Sequence, residues 1–128
     1  MKSVFNSPKG NTGDSGLSQV CMADNLIYIS GQIAYIPETG EYNRGSIEEQ
    51  TRQIMVNLKG IMEDLGLTLE HIIKTNIFLT DINEFERMNE VYKEYFSGPR
   101  PPARQTVGCT VWGGLNIEIS CVAVKEID

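Results

Sequence analysis

The stretch Leu115-Asn116-Ile117-Glu118-Ile119-Ser120-Cys121-Val122-Ala123-Val124-Lys125 decides how this chain folds. Side chains alternate across a β-strand with a period of two. Leu115, Ile117, Ile119, Cys121 and Ala123 therefore share one face, and Asn116, Glu118, Ser120, Val122 and Val124 share the other. The first face is apolar throughout. The second begins polar and turns apolar, so Ile119 to Val124 reads as a strand covered on both sides. Glu118 stands between two isoleucines at the polar start of that second face. Its plain reading is an edge-strand carboxylate in water, and the apolar run beyond it argues against that reading.

The elements that can cover this strand are read outward from it. Ser46 to Leu65 is the clearest helix: Ser46 and Glu49 form an S-x-x-E capping box, and Gly66 is the stop. Ile54, Met55, Leu58, Ile61, Met62 and Leu65 recur there at helical spacing, a pattern of core packing. A second helix is predicted near Asn83 to Phe96, with Phe85, Met88, Tyr92, Tyr95 and Phe96 as its apolar stripe. Strands are predicted over Leu17 to Ala23 and Leu26 to Ser30, joined by an Asp24-Asn25 turn, and over Ile72 to Thr80 and Thr106 to Val111. In the third of these, Ile73, Thr75, Ile77 and Leu79 share one face. Pro37 to Gly40 and Trp112-Gly113-Gly114 read as turns, and Met1 to Gly16, rich in Gly, Ser and Asn, as a stretch that includes an irregular segment. Two helices can cover only one face of such a sheet. A second copy of the chain is the economical cover for the other face, which predicts a homo-oligomer with Glu118 near a subunit boundary.

Composition narrows the function. The 128 residues make a single domain, 41% hydrophobic and 22% charged, with a net charge of −6. That balance disfavours nucleic acid as a partner, because phosphate binding needs clustered Lys and Arg. No apolar run reaches a membrane span, and no signal-peptide core is seen at the start. Three cysteines, one histidine and no CxxC argue against a disulfide framework and a zinc site. The cysteines read as reduced and mostly buried, in a cytoplasmic protein. No phosphate loop or GxSxG is present, and nothing in the spacing supports a Ser-His-Asp triad built from Ser30 and His71.

Gly98-Pro-Arg-Pro-Pro-Ala-Arg-Gln-Thr-Val-Gly108 holds three of the five prolines. Proline fixes φ and pushes its predecessor toward extended geometry, so this segment is stiff and delivers Arg104 to the start of a strand. A planar guanidinium on a rigid support suits bidentate binding of a carboxylate, and the bland alternative is a structural salt bridge. Arg100 reads as a solvated loop charge. Asn89 sits four residues after Phe85, beside the apolar stripe, and either ties a loop to its helix or faces a cavity. Gly31, within Ser30-Gly31-Gln32, lets another group approach the backbone closely. His71, lacking a partner motif, reads as structural.

With Ser30-Gly31-Gln32, Lys74-Thr75, Asn89-x-x-Tyr92-x-x-x-Phe96, Pro102-Ala103-Arg104 and Ile117-Glu118-Ile119 in order, the chain resembles the RidA/YjgF family from about Leu17 to Val124. The resemblance implies an α+β, chorismate-mutase-like fold: a mixed six-stranded sheet with two helices on one face. It also implies a homotrimeric barrel with clefts between subunits. It implies cofactor-free, metal-free hydrolysis of reactive 2-imino acids, such as 2-iminobutanoate and 2-iminopropanoate, to 2-keto acids and ammonia. Arg104 and Glu118 would be the catalytic pair, the first binding the substrate carboxylate and the second orienting or deprotonating water. Ser30, Gly31, Asn89, Leu17 and the Thr106 N–H would complete the substrate site. Leu17 stands where many family deaminases have a tyrosine, and Gly108-Cys109 where Glu-Val is common. A second function class fits the same pattern: a non-catalytic trimer that binds small carboxylates and regulates a partner enzyme. An endoribonuclease activity, attached to some relatives, is disfavoured by the acidic balance and by the want of a histidine pair.

Overall fold

The computed structural model describes residues 1–12 and 15–128. Gly13 and Asp14, part of the stretch expected to include an irregular segment, lie outside the described residues. The strands are β1 (Lys2–Phe5), β2 (Val20–Ala23), β3 (Leu26–Gln32), β4 (Tyr35–Ile36), β5 (Glu41–Tyr42), β6 (Ile72–Leu79), β7 (Ala103–Gly108) and β8 (Ile117–Val124). The helices are α1 (Ile47–Asp64) and α2 (Phe85–Tyr95). Six strands form one sheet in the order β1-β2-β3-β8-β6-β7, and β4 and β5 form a separate pair. Only β6 and β7 run parallel, joined by α2 as the crossover. The mixed sheet with two helices is the fold class expected from the sequence.

β8 lies in the interior of the sheet, paired on both sides, as its apolar composition requires. Ile117, Ile119, Cys121 and Ala123 are buried beneath the helices. They pack with Ile54, Met55, Leu58, Ile61 and Met62 of α1 and with Met88 and Tyr92 of α2. Val91, outside the expected α2 stripe, is buried as well. The ends of α1 follow local chemistry. Ser46 Oγ accepts the Glu49 N–H, and Gly66 at φ 78° lets the Leu67 and Gly66 N–H groups cap the Met62 and Glu63 carbonyls. Burial of Cys121 pushes its thiol up to about 12, which makes it unreactive. Cys109, by contrast, is exposed and Cys21 half-buried, so the expectation of mostly buried cysteines fails for two of the three.

The structure departs from the sequence reading at four further places. Lys2–Phe5 is a strand that the sequence reading did not name. It pairs with β2 by backbone bonds at the sheet edge, with almost no side-chain burial to announce it. The first predicted strand begins at Val20 rather than Leu17. β7 starts at Ala103, the first residue past the prolines able to donate a backbone N–H, and stops at Gly108 because its partner β6 ends at Leu79. Finally, a register shift between Ile72 and Lys74 rotates Ile73 out of the core face, leaving it exposed while Ile72 is buried in its stead.

The segment between β1 and β2 is tied down by side chains. Gln19, fully buried, accepts from the Ser7 N–H and donates to the Ser7 and Asn11 carbonyls. Ser7 Oγ and Lys9 Nζ both donate to the Asp64 carboxylate, at 2.6 and 2.8 Å, joining this segment to the end of α1. Among the described residues no helix is long and apolar enough to cross a membrane.

On the face away from the helices, β3 and β8 set Leu26 beside Val124 and Tyr28 beside Val122. Phe78 of β6 and Val107 of β7 form a separate apolar pair on this face, level with Glu118 and beyond the polar row of Ser120, Asn76 and Gln105. Tyr28 is 52% exposed and Leu26 38%. The uncovered apolar face expected from the last strand is therefore present.

Candidate active site

Arg104 and Glu118 lie on opposite faces of the sheet. The parallel register pairs Arg104 with Thr75 and Thr106 with Ile77, two residues buried under the helices, so Arg104 and Thr106 point to the helix side. Glu118 pairs with Phe78, on the uncovered side. Within one chain the two groups belong to two separate depressions.

The first depression, of about 380 Å³, is lined by Asn89, Tyr92, Lys93, Phe96, Pro101, Pro102 and Arg104. The guanidinium carbon of Arg104 sits 5.2 Å from the Phe85 ring centre and 5.0 Å from that of Tyr92. This aromatic bracket holds a cation through its ring faces. Tyr92 is fixed in turn by a 2.7 Å hydrogen bond between its hydroxyl and that of buried Thr75. Burial raises the Tyr92 phenol, the Thr75 bond and the Arg104 charge opposing it, so the ring stays neutral. Arg104 Nη1 donates to Asn89 Oδ1 at 2.5 Å. Asn89 thus faces the depression and orients the arginine, rather than tying a loop. Among the described residues Arg104 forms no salt bridge, so the structural ion pair is not found and its charge is left uncompensated within the chain. The Cys109 N–H bonds the Leu79 carbonyl. Parallel strands alternate in steps of two, which turns the Thr106 N–H outward, to the free edge of β7. The Thr106 hydroxyl is buried without a partner. Arg100, expected to be solvated, donates to the Asp128 carbonyl at 3.3 Å on the surface.

The second depression, of about 350 Å³, collects Leu17, Ser30, Gly31 and Glu118 with Asn11, Ile33, Tyr42 and Trp112. A bulge between Ile29 and Gln32 turns Ser30 and Gly31 out of the ladder with β8. Ser30 Oγ donates to the Ser18 carbonyl, and Asn11 bonds both the Gly31 carbonyl and the Ile33 N–H. The group that closely approaches Gly31 is Glu118: any Cβ there would overlap its carboxylate. Burial raises the Glu118 carboxyl above the usual carboxylate range, and no cation meets it among the described residues. The sequence reading found Leu17, Ser30, Gly31 and Glu118 but missed Asn11, Tyr42 and Trp112. It took Phe85 and Tyr92 for core residues only. The signal for Tyr42 and Trp112 was an aromatic within each of two turn-rich stretches, which carries no periodicity.

His71, as expected, is structural: its ring accepts the Thr68 N–H in a capping box. Among the described residues no three His, Cys, Asp or Glu side chains gather closely enough to hold a metal ion.

Fold and geometry define an α+β protein with an arginine bracketed by aromatic rings on one side of its sheet and a half-buried carboxylate on the other. The sequence model of the family described as Endoribonuclease L-PSP matches residues 13–125. This chain belongs to that family, the YjgF/RidA family. It is 44% identical to a RutC family protein of Pyrococcus horikoshii over 110 residues, 85% of this chain and 86% of that one. It is 33% identical to the 2-iminobutanoate/2-iminopropanoate deaminase of Rattus norvegicus over 125 residues, 98% of this chain and 91% of that protein. Among solved structures, the Rid family protein YyfA of Yersinia pestis superposes with a TM-score of 0.92 at 35% identity, over 97% of this chain and 99% of that one.

Proposed function

We propose that the protein is a cofactor-free hydrolase of 2-imino acids, active as a homotrimer whose clefts join the Arg104 depression of one subunit to the Glu118 depression of the next. The observation that carries this reading is the uncompensated guanidinium of Arg104, bracketed by two aromatic rings and aimed by Asn89. A substrate carboxylate satisfies it with two parallel hydrogen bonds. The outward Thr106 N–H supplies a further donor beside it. The exposed apolar face of Leu26, Tyr28, Val122 and Val124 favours assembly. The name of the rat relative supports 2-iminobutanoate and 2-iminopropanoate as members of the substrate class.

The reaction adds water across C=N. The water oxygen bonds C2 while one of its protons passes to nitrogen, giving a carbinolamine. The C–N bond then breaks, ammonia leaves with a second proton taken from the new hydroxyl, and C=O forms. Glu118 accepts the first proton and returns it to nitrogen. Its raised pKa brings it nearer to the value at which one group can do both. Imines hydrolyse in water unaided, so positioning over a fixed carboxylate clamp supplies most of the required acceleration.

The test is the lifetime of 2-iminobutanoate generated by a threonine dehydratase. Wild-type protein is expected to shorten it. Arg104→Ala is expected to cut kcat/KM at least about a hundredfold, the loss typical of removing one partner of a hydrogen-bonded charge pair. No acceleration over buffer by the wild type rules the enzyme out. Leu17, which offers no hydroxyl to a ligand, favours a second reading, a carboxylate-binding module that regulates another enzyme. Calorimetric binding of 2-ketobutyrate without turnover of the imine is its signature.

A further inference from the structure

The wall of the Glu118 depression has a composition that small imines do not need. Trp112, 61% exposed, packs edge-on against Tyr42 with ring centres 5.6 Å apart, and Tyr42 packs against Tyr35 at 5.9 Å. Leu17, 48% exposed, and Ile33 line the same space. The indole is held out deliberately. Gly113 and Gly114 adopt φ 70° and 72°, a pair of left-handed residues that makes a tight turn, and Arg44 Nη1 donates to the Gly113 carbonyl at 2.6 Å. Val111 and Leu115, on either side of this turn, are buried in a small core with Ile33. A rigid apolar shelf thus stands over a carboxylate.

We infer that this shelf selects 2-imino acids with large apolar or aromatic side chains over the alanine-sized members of the class. The inference rests on the deaminase reading and deepens it. With the substrate carboxylate on Arg104 of the neighbouring subunit and C2 over Glu118, the remaining substituent of C2 is directed into the Leu17–Tyr42–Trp112 space. The whole depression, about 350 Å³ with the space over Glu118 included, falls in the range that holds ligands far larger than a methyl group. A methyl substituent leaves the indole and Leu17 wet. An isobutyl or benzyl substituent covers them, and a single methylene in an apolar pocket is worth about ten- to two-hundredfold in kcat/KM.

The experiment generates imines in situ with an L-amino-acid oxidase acting on leucine, phenylalanine or alanine, and measures hydrolysis in competition with a semicarbazide trap. Wild type is expected to favour the leucine and phenylalanine imines over the alanine imine by at least about tenfold in kcat/KM. Trp112→Ala is expected to lower that ratio about tenfold, through KM for the large substrates, and Trp112→Phe to retain it. Leu17→Tyr, which fills the space from the other wall, is expected to lower it independently. Sedimentation confirms that each variant keeps its assembly. A wild type that favours the alanine imine, or a Trp112→Ala variant that slows all three imines equally, overturns the inference. Calorimetry with 4-methyl-2-oxopentanoate and pyruvate separates this outcome from failure of the enzyme reading. If no imine is hydrolysed, tighter Trp112-dependent binding of the larger keto acid still upholds size selection, and equal binding rejects it.

Discussion

Glu118 is held in its state by one glycine. Gly31 lacks the Cβ that would strike the carboxylate, so Glu118 lies half-buried against the β3 bulge. Burial then makes ionisation costlier, and its pKa rises above the ordinary 4.5. A group that must accept a proton from water works only when ionised. The acidic limb of the kcat/KM profile is therefore expected above pH 4.5, with the rate falling as pH falls through the raised value. Glu118→Gln is expected to remove that limb together with most of the activity, and a limb that persists in the variant would assign the proton transfer elsewhere. Arg104 shows the opposite strategy. Its charge is kept, but Asn89, Phe85 and Tyr92 restrict its direction. In sequence, the proline run and the arginine were legible, whereas the two rings beneath it were not. Phe85 and Tyr92 sit at helical spacing and read as core, and Tyr92 is indeed buried; what turns them toward Arg104 is the parallel pairing of β6 with β7.

At the level of elements, the strongly patterned segments were the legible ones. The Ser46 cap, apolar stripe and glycine stop of α1 act as the sequence implied, the S-x-x-E start through the Ser46 Oγ bond to the Glu49 N–H alone. The errors fall where hydrogen bonding outweighs pattern. β1 exists through its ladder with β2, and β7 begins where the prolines end. The bulge at Ile73 moves one side chain out of register, which no alternation in the sequence foretells. The link between the N-terminal segment and α1 is likewise invisible in one dimension. Lys9, then Ser7, lower the Asp64 carboxyl below its ordinary 3.8, so the folded state binds its proton less tightly than the unfolded chain. The link therefore contributes stability above pH 3.8 and loses it as pH falls through the depressed value. Asp64→Asn is expected to lower Tm at neutral pH and to match wild type in acid below both values. Thermal scans across pH check this, and an equal deficit at every pH would reject the ionic origin.

For the whole molecule, the last strand carried the most information. Its apolar second face implied a missing cover, and the sheet leaves Tyr28, Leu26, Val122 and Val124 without one. The family resemblance also named Arg104 and Glu118 as a pair. It did not put them on opposite sides of a sheet, because face assignment across β7 needs the register with β6.

That opposition has a genetic consequence. Each cleft of the proposed ring takes its arginine from one copy and its carboxylate from the next, so two dead alleles can repair each other. Any ring that mixes Arg104→Ala with Glu118→Gln subunits contains one intact cleft, one doubly damaged cleft and one singly damaged cleft. Refolding the two inactive variants together in equal amounts is expected to recover about a quarter of wild-type activity, the value for random threefold assembly. Mixing without subunit exchange should recover none. Recovery near zero after proven exchange would mean that a single chain builds its own site.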